Sequence, residues 1–134
     1  MTNPANQKAA GRQTRALLAR RLPGSRRGTV AAHLTRAERI GAAIWRRWQI
    51  GPYRWQLKNV RWFLSAQTEG FSASTRYRYW LTVRALVSAL GHGDDWIRRL
   101  EGPWVRPTGS DGTIIRQIRD LRLGPLDNRT GGRP

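Results

Sequence analysis

Glycine and proline cut this chain into pieces of helix length. Pro23-Gly24, Ile50-Gly51-Pro52, Glu69-Gly70, Gly91 and Gly102-Pro103 leave room for several helices and for no very long one. A proline inside a helix loses a backbone hydrogen bond, and glycine is the residue that a helix end accepts most easily. Between these breaks, apolar residues recur at three- and four-residue spacing. There is no alternating hairpin pattern, internal repeat or sustained heptad. The expectation is an all-α fold: a small bundle of four to five helices with a basic N-terminal arm and a flexible C-terminal tail.

Met1 to Gly11 is polar and reads as a loose tail. Gln13 to Leu22 can form a short helix carrying Leu17, Leu18 and Leu22, and Ser25-Arg26-Arg27-Gly28 is a basic linker. Residues 1–28 together read as a basic, partly disordered arm that orders on a polyanion. Thr35 then stands as an N-cap with Glu38 as its capping-box partner, opening a helix to about Gln49. Ala37, Ile40, Gly41, Ile44 and Trp48 share one face of it; Arg36, Arg39, Ala43, Arg46 and Arg47 share the other. The next helix is expected from Tyr53 to Gln67, with Tyr53, Leu57, Val60 and Leu64 as its core stripe and Arg54, Lys58 and Arg61 beside it. Trp55 and Trp62 lie nearly opposite that stripe: either a second helix covers them or they face a partner.

Ser72 or Ser74 caps a helix that runs to Leu90 before Gly91, with Tyr79, Val83, Leu86 and Leu90 buried and Trp80 and Val87 alongside. Asp94 starts a short helix, Asp95 to Leu100. Trp104 to Gly112 reads as loop. Thr113 to Leu123 is a last amphipathic basic helix, or a strand over Thr113 to Ile118, and Gly124 to Pro134 is a tail. The expected organisation is therefore an arm at 1–28, a helical domain at 29–105, and loop, helix and tail at 106–134.

Charge says most about partners. The chain has 134 residues, with 25 Lys+Arg against 8 Asp+Glu, a formal net charge of +17. So large an excess repels itself unless a polyanion offsets it, and nucleic acid is the commonest one. The cations are almost all arginine, with Lys8 and Lys58 the only lysines. Arginine grips phosphate or guanine with a planar fork; a GC-rich genome also favours its codons.

Catalytic chemistry finds little to work with. The acids, Glu38, Glu69, Asp94, Asp95, Glu101, Asp111, Asp120 and Asp127, are thinly spread, and general acid–base or metal-assisted hydrolysis needs such groups clustered. The adjacent pair Asp94-Asp95 sits where a helix N-terminus favours negative charge. With no cysteine there is no disulfide and no thiolate zinc site. No phosphate-cradling glycine loop is present. No enzyme activity, cofactor or metal is expected. No membrane span or secretory signal is read either, and a bacterial or phage cytoplasm is the expected compartment.

The candidate nucleic-acid contacts are Arg26 and Arg27 of the arm, Arg36, Arg39, Arg46 and Arg47 on the first long helix, and Arg54, Lys58 and Arg61 on the second. Ser74, Thr75, Arg76, Arg78 and Arg84 join them where the next helix opens, since free N–H groups there suit a phosphate. Of seven tryptophans, most are expected in the core. Trp55 and Trp62 are the candidates for stacking or for an interface.

The stretch from Tyr53 to Leu100, about a third of the chain, resembles the SAM-like core-binding domain of tyrosine recombinases, the phage integrase family. The resemblance rests on Trp62-Phe63-Leu64, on Gly70-Phe71-Ser72-Ala73-Ser74-Thr75-Arg76-Tyr77-Arg78-Tyr79, and on Leu81-Thr82-Val83-Arg84-Ala85-Leu86. It implies a helical bundle that grips DNA, with Ser74, Thr75, Arg76, Arg78 and Arg84 toward the duplex. It stops short of the family's catalytic domain, so strand cleavage is not carried over. The expected function is a non-catalytic DNA-binding accessory protein of a plasmid, phage or integrative element, with DNA preferred over RNA. The alternatives are an RNA-binding or ribosome-associated protein, and a Trp-anchored subunit with a protein partner or a second copy of itself.

Overall fold

The computed structural model describes residues 3–21 and 27–106. They form five α-helices and no strand, as the spacing of apolar residues predicts. These are α1 (Gln7–Ala19), α2 (Arg27–Trp48), α3 (Leu57–Trp62), α4 (Ala73–Ala89) and α5 (Gly93–Arg99). A 3-10 turn, Pro52–Arg54, precedes α3, and a π turn, Phe63–Gln67, follows it. The expected helix or strand beyond Thr113 and the C-terminal tail lie outside the described residues. The chain divides into two units: the residues up to Glu69 with Tyr79–Glu101, and Gly70–Arg78 with the residues from Gly102 on.

In the first unit, the short helix expected from Gln13 to Leu22 is present as α1, but it starts earlier, at Gln7, within the stretch expected to be a loose tail. Asn6, in an extended conformation, caps the helix by accepting a hydrogen bond from the Ala9 N–H at 2.8 Å. Its buried face is Ala10, Gly11, Thr14, Leu17 and Leu18. Against it lie Ala37, Ile40, Gly41 and Ile44 of α2, all buried. Small residues set the distance. A Cβ on Gly41 would lie 2.1 Å from Thr14 Oγ1 and 2.9 Å from the Ala10 carbonyl oxygen. Asn3 ties the N-terminal end to the far end of α2. Its Nδ2 donates to Gln49 O, and its Oδ1 accepts from the Gly51 N–H.

α2 starts at Arg27, so Thr35 and Glu38 lie inside the helix and do not open it. Glu38 pairs instead with Arg15 across to α1, at 3.6 Å. The helix ends at Gln49, a non-glycine residue with φ 56. Its side-chain amide donates back to the carbonyls of Trp45 and Arg46, satisfying acceptors left open by the helix end.

The single helix expected from Tyr53 to Gln67 is interrupted. Trp55 and Gln56 are extended, and α3 begins afresh at Leu57, with the Gln56 N–H donating to Asn59 Oδ1 at 2.7 Å. Tyr53 is thereby displaced from the core stripe and left 38% exposed. Val60, Phe63 and Leu64 are buried, the last two in the π turn. Trp55 is 5% exposed, which settles its two readings in favour of cover.

α4 contributes Tyr79, Trp80, Val83, Leu86 and Val87 to the core of this unit. It ends as expected at Gly91, whose φ of 86 suits a residue without Cβ, and the His92 N–H returns to Val87 O. α5 carries Asp94 and Asp95 in its first turn and Arg98 and Arg99 in its last, matching the helix dipole at both ends. Asp95 and Arg99 pair at 3.1 Å. Trp96 and Leu100 are buried, and the His92 ring stacks on Trp96 at 4.0 Å.

In the second unit, Ser72 is the cap of α4: its Oγ accepts from the Thr75 N–H at 3.2 Å. The Arg76 guanidinium lies 5.3 Å from the ring centre of the buried Trp104. No helix among the described residues is long and apolar enough to cross a membrane.

Candidate nucleic-acid interface

One long stretch of the chain is nearly free of acids. From Arg39 to Gly93 the sequence holds Arg39, Arg46, Arg47, Arg54, Lys58, Arg61, Arg76, Arg78 and Arg84, against Glu69 as the one acid. Two of the described carboxylates outside that stretch are spent locally, Glu38 on Arg15 and Asp95 on Arg99.

The structure sorts the candidate cations of the first unit by whether they are already engaged. Arg36 is half-buried, and its Nε donates to Thr82 Oγ1 at 2.9 Å. Arg39 reaches the Tyr79 hydroxyl at 3.4 Å. These two, expected on a free basic face, instead tie α2 to α4. Arg61 donates to the carbonyl of Arg99, at the C-terminal end of α5. By contrast Arg46, Arg54, Lys58 and Arg84 are exposed, and their side chains bond to no other described residue. Arg26, and the side chain of Arg27, lie outside the described residues.

Arg47 belongs to an aromatic cluster. Trp48 and Trp62 meet edge to face, with ring centres 5.1 Å apart and planes at 84°. The Arg47 guanidinium lies 5.1 Å from the Trp48 centre and 5.4 Å from that of Trp62. Such a contact stabilises by about 0.5–1 kcal/mol when exposed, and it holds the cation in one place. Trp62 is half-buried here, whereas its companion candidate Trp55 is in the core and offers no stacking face.

Beside that cluster opens a groove of about 430 Å³, lined by Trp48, Ile50, Arg54, Gln56, Lys58 and Asn59. The sharp end of α2 at Gln49 and the extended break at Trp55-Gln56 build it. Trp48, Ile50 and Gln56 are the residues that sequence reasoning missed here, because Trp48 falls on the same helical face as Ile40 and Ile44 and reads as core. The available signal was its neighbour: a tryptophan flanked by Arg46-Arg47 and followed within ten residues by Arg54 and Lys58.

In the second unit, Thr75 and Ser72 are hydrogen-bonded to each other, and Ser74 and Arg78 are exposed. Arg76 is held on Trp104.

The catalytic domain of tyrosine recombinases carries a His-x-x-Arg, and the expectation that this chain has none is corrected: His33-Leu34-Thr35-Arg36 has that spacing. Here the two side chains converge on one hydroxyl: His33 Nδ1 is 2.8 Å from Thr82 Oγ1, the atom that Arg36 also binds. Burial, and secondarily the charge of Arg36, hold the His33 pKa below its ordinary 6.5. The fold thus favours the neutral ring. Its contribution is complete above the unfolded pKa, near 6.5, and is lost as pH falls below it, levelling off under the folded value. The melting temperature is expected to drop between pH 7 and pH 5, and the drop to shrink in His33→Gln. An unchanged pH profile in that variant would remove His33 as its source.

Comparison with known proteins finds no matching family model, no matching curated protein and no matching solved structure.

Proposed function

We propose that this chain is a non-catalytic DNA-binding protein, an accessory factor of a mobile genetic element, that holds the phosphate backbone through arginines on α2 to α4. One observation carries the reading: Arg46, Arg54, Lys58 and Arg84 are exposed and uncompensated, in a stretch of chain with a single acid. Unpaired cations in such excess over acids repel one another in the free protein, and binding a polyanion relieves that. The choice of DNA and of a mobile element comes from the likeness of the Gly70 to Leu86 segment to the core-binding domain of tyrosine recombinases.

The test is duplex binding across a salt series. Four phosphate contacts at about 0.9 each give a slope of log affinity on log salt of about −3.5 or steeper. A flat dependence sinks the phosphate grip. Competition with structured RNA of equal length checks the choice of nucleic acid, and a strong preference for RNA replaces this reading with an RNA-binding one.

A further inference from the structure

We infer that the groove beside Trp48 is a subsite for one unpaired nucleotide, so that the protein favours DNA carrying a single-stranded segment over uninterrupted duplex. The inference rests on the DNA-binding reading and names the form of DNA that this site takes.

The groove combines three things that a lone nucleotide needs and a duplex cannot use together. The first is an aromatic wall: Trp48 is only half-buried and lines the opening. Every base has a π face, so an indole accepts any of them, provided the base is not already stacked in a helix. The second is charge at the rim. Arg54 and Lys58 both line the groove, are exposed, and bond to no other described residue. A phosphate attached to a base stacked on Trp48 would meet two cations with no carboxylate nearby. The third is size. At about 430 Å³ the groove lies near the lower end of small-ligand pockets, roughly 300–1,000 Å³, which suits a single nucleotide unit.

The aromatic wall is also prearranged. The Arg47 guanidinium lies over one face of the Trp48 ring and Trp62 meets that ring at 84°, which fixes its orientation and leaves the opposite face as the one a base would use. Little side-chain freedom is left to lose on binding, which favours affinity.

The experiment compares a blunt DNA duplex with the same duplex carrying a short oligothymidine tail, by fluorescence anisotropy of the labelled DNA. The tailed duplex is expected to bind about tenfold tighter, from stacking of one base on an aromatic ring. Trp48→Ala is expected to bring the ratio of the two affinities close to one, and Trp48→Phe to keep part of it. Because Trp48 also packs on Trp62, Arg54→Ser with Lys58→Ser serves as the second variant. Neither side chain is buried or bonded, and this pair is expected to reduce the ratio severalfold. A tail that adds nothing overturns the subsite while leaving the duplex reading in place. A tail advantage that survives both variants places the unpaired base elsewhere and overturns it too. Failure to bind either DNA overturns the DNA reading itself.

Discussion

Gly41→Ala is expected to unfold this protein more readily, although alanine is the better helix former. In an exposed helix interior the exchange gains about 1 kcal/mol. At Gly41 the new methyl would stand 2.1 Å from Thr14 Oγ1, 2.7 Å from Thr14 Cβ and 2.9 Å from the Ala10 carbonyl. Thr14 is fully buried and its hydroxyl donates to that same carbonyl, so it has nowhere to turn without breaking the bond. The backbone oxygen can retreat only if the helices separate. Overpacking of this kind costs about 1–3 kcal/mol, enough to cancel the propensity gain and reverse its sign. The net loss is then up to about 2 kcal/mol, a fall of up to roughly 10 °C in melting temperature for a domain of this size. Thr14→Ala in the same chain removes the hydroxyl but leaves the Cβ at 2.7 Å and the carbonyl at 2.9 Å, so the double variant is expected to recover only part of the loss. A Gly41→Ala protein that melts higher than the parent would show that the two helices do not approach this closely.

Removing Arg46, Arg54, Lys58 and Arg84 together, each as serine, is expected to weaken duplex binding by about a thousandfold or more near 0.1 M salt. Counterion release makes each phosphate contact worth a factor of about eight there relative to 1 M salt, and four contacts multiply. The slope of log affinity on log salt is expected to become shallower by about 3.5. Stability should change little, because none of the four side chains is buried or paired. Arg36→Ser and Arg39→Ser make the contrasting pair. Those side chains hold Thr82 and Tyr79, so they draw on stability rather than on the salt slope. If the quadruple variant binds with the parent's affinity and slope, the exposed cations are not the DNA contacts.

The breaks between helices, and the faces of the later helices, could be read before any coordinates. Ser72, Gly91 and Asp94-Asp95 mark their ends with local chemistry that tertiary context did not override. The second half of α1 was legible from Leu17 and Leu18, but its first half escaped because the buried residues there are Ala10, Gly11 and Thr14, which count as small or polar in any periodicity. Their value lies in how closely they let α2 approach, which depends on Gly41, far along the chain. The start of α2 was masked by a capping box, Thr35 with Glu38, that is real as a pattern but is occupied otherwise, Glu38 by Arg15. The continuous helix expected through Trp55 failed for a reason of the same kind. The helical spacing of Tyr53, Leu57, Val60 and Leu64 cannot show that the backbone turns extended at Trp55 and Gln56.

For the candidate site, composition disclosed the charge but not its distribution into engaged and free cations. Arg36, Arg39 and Arg61 look the same in sequence as Arg46 and Arg54. Only the hydroxyl or carbonyl each one meets, dozens of residues away, separates them.

The seam between α1 and α2 bears on how the chain comes into being. The partners of α1 within that seam lie between Ala37 and Gly51: the buried face of α2, the Glu38 carboxylate, and the carbonyl and N–H that Asn3 clasps. A ribosome delivers the chain from its N-terminus, at a pace that allows early segments to settle before later ones exist. Once Gly51 has cleared the exit tunnel, this helical pair has what it needs to dock, while the segments of α3, α4 and α5 are still inside the tunnel or being made. The nascent chain then holds its first cluster of arginines on a shaped surface, instead of trailing them as a loose basic thread beside ribosomal RNA.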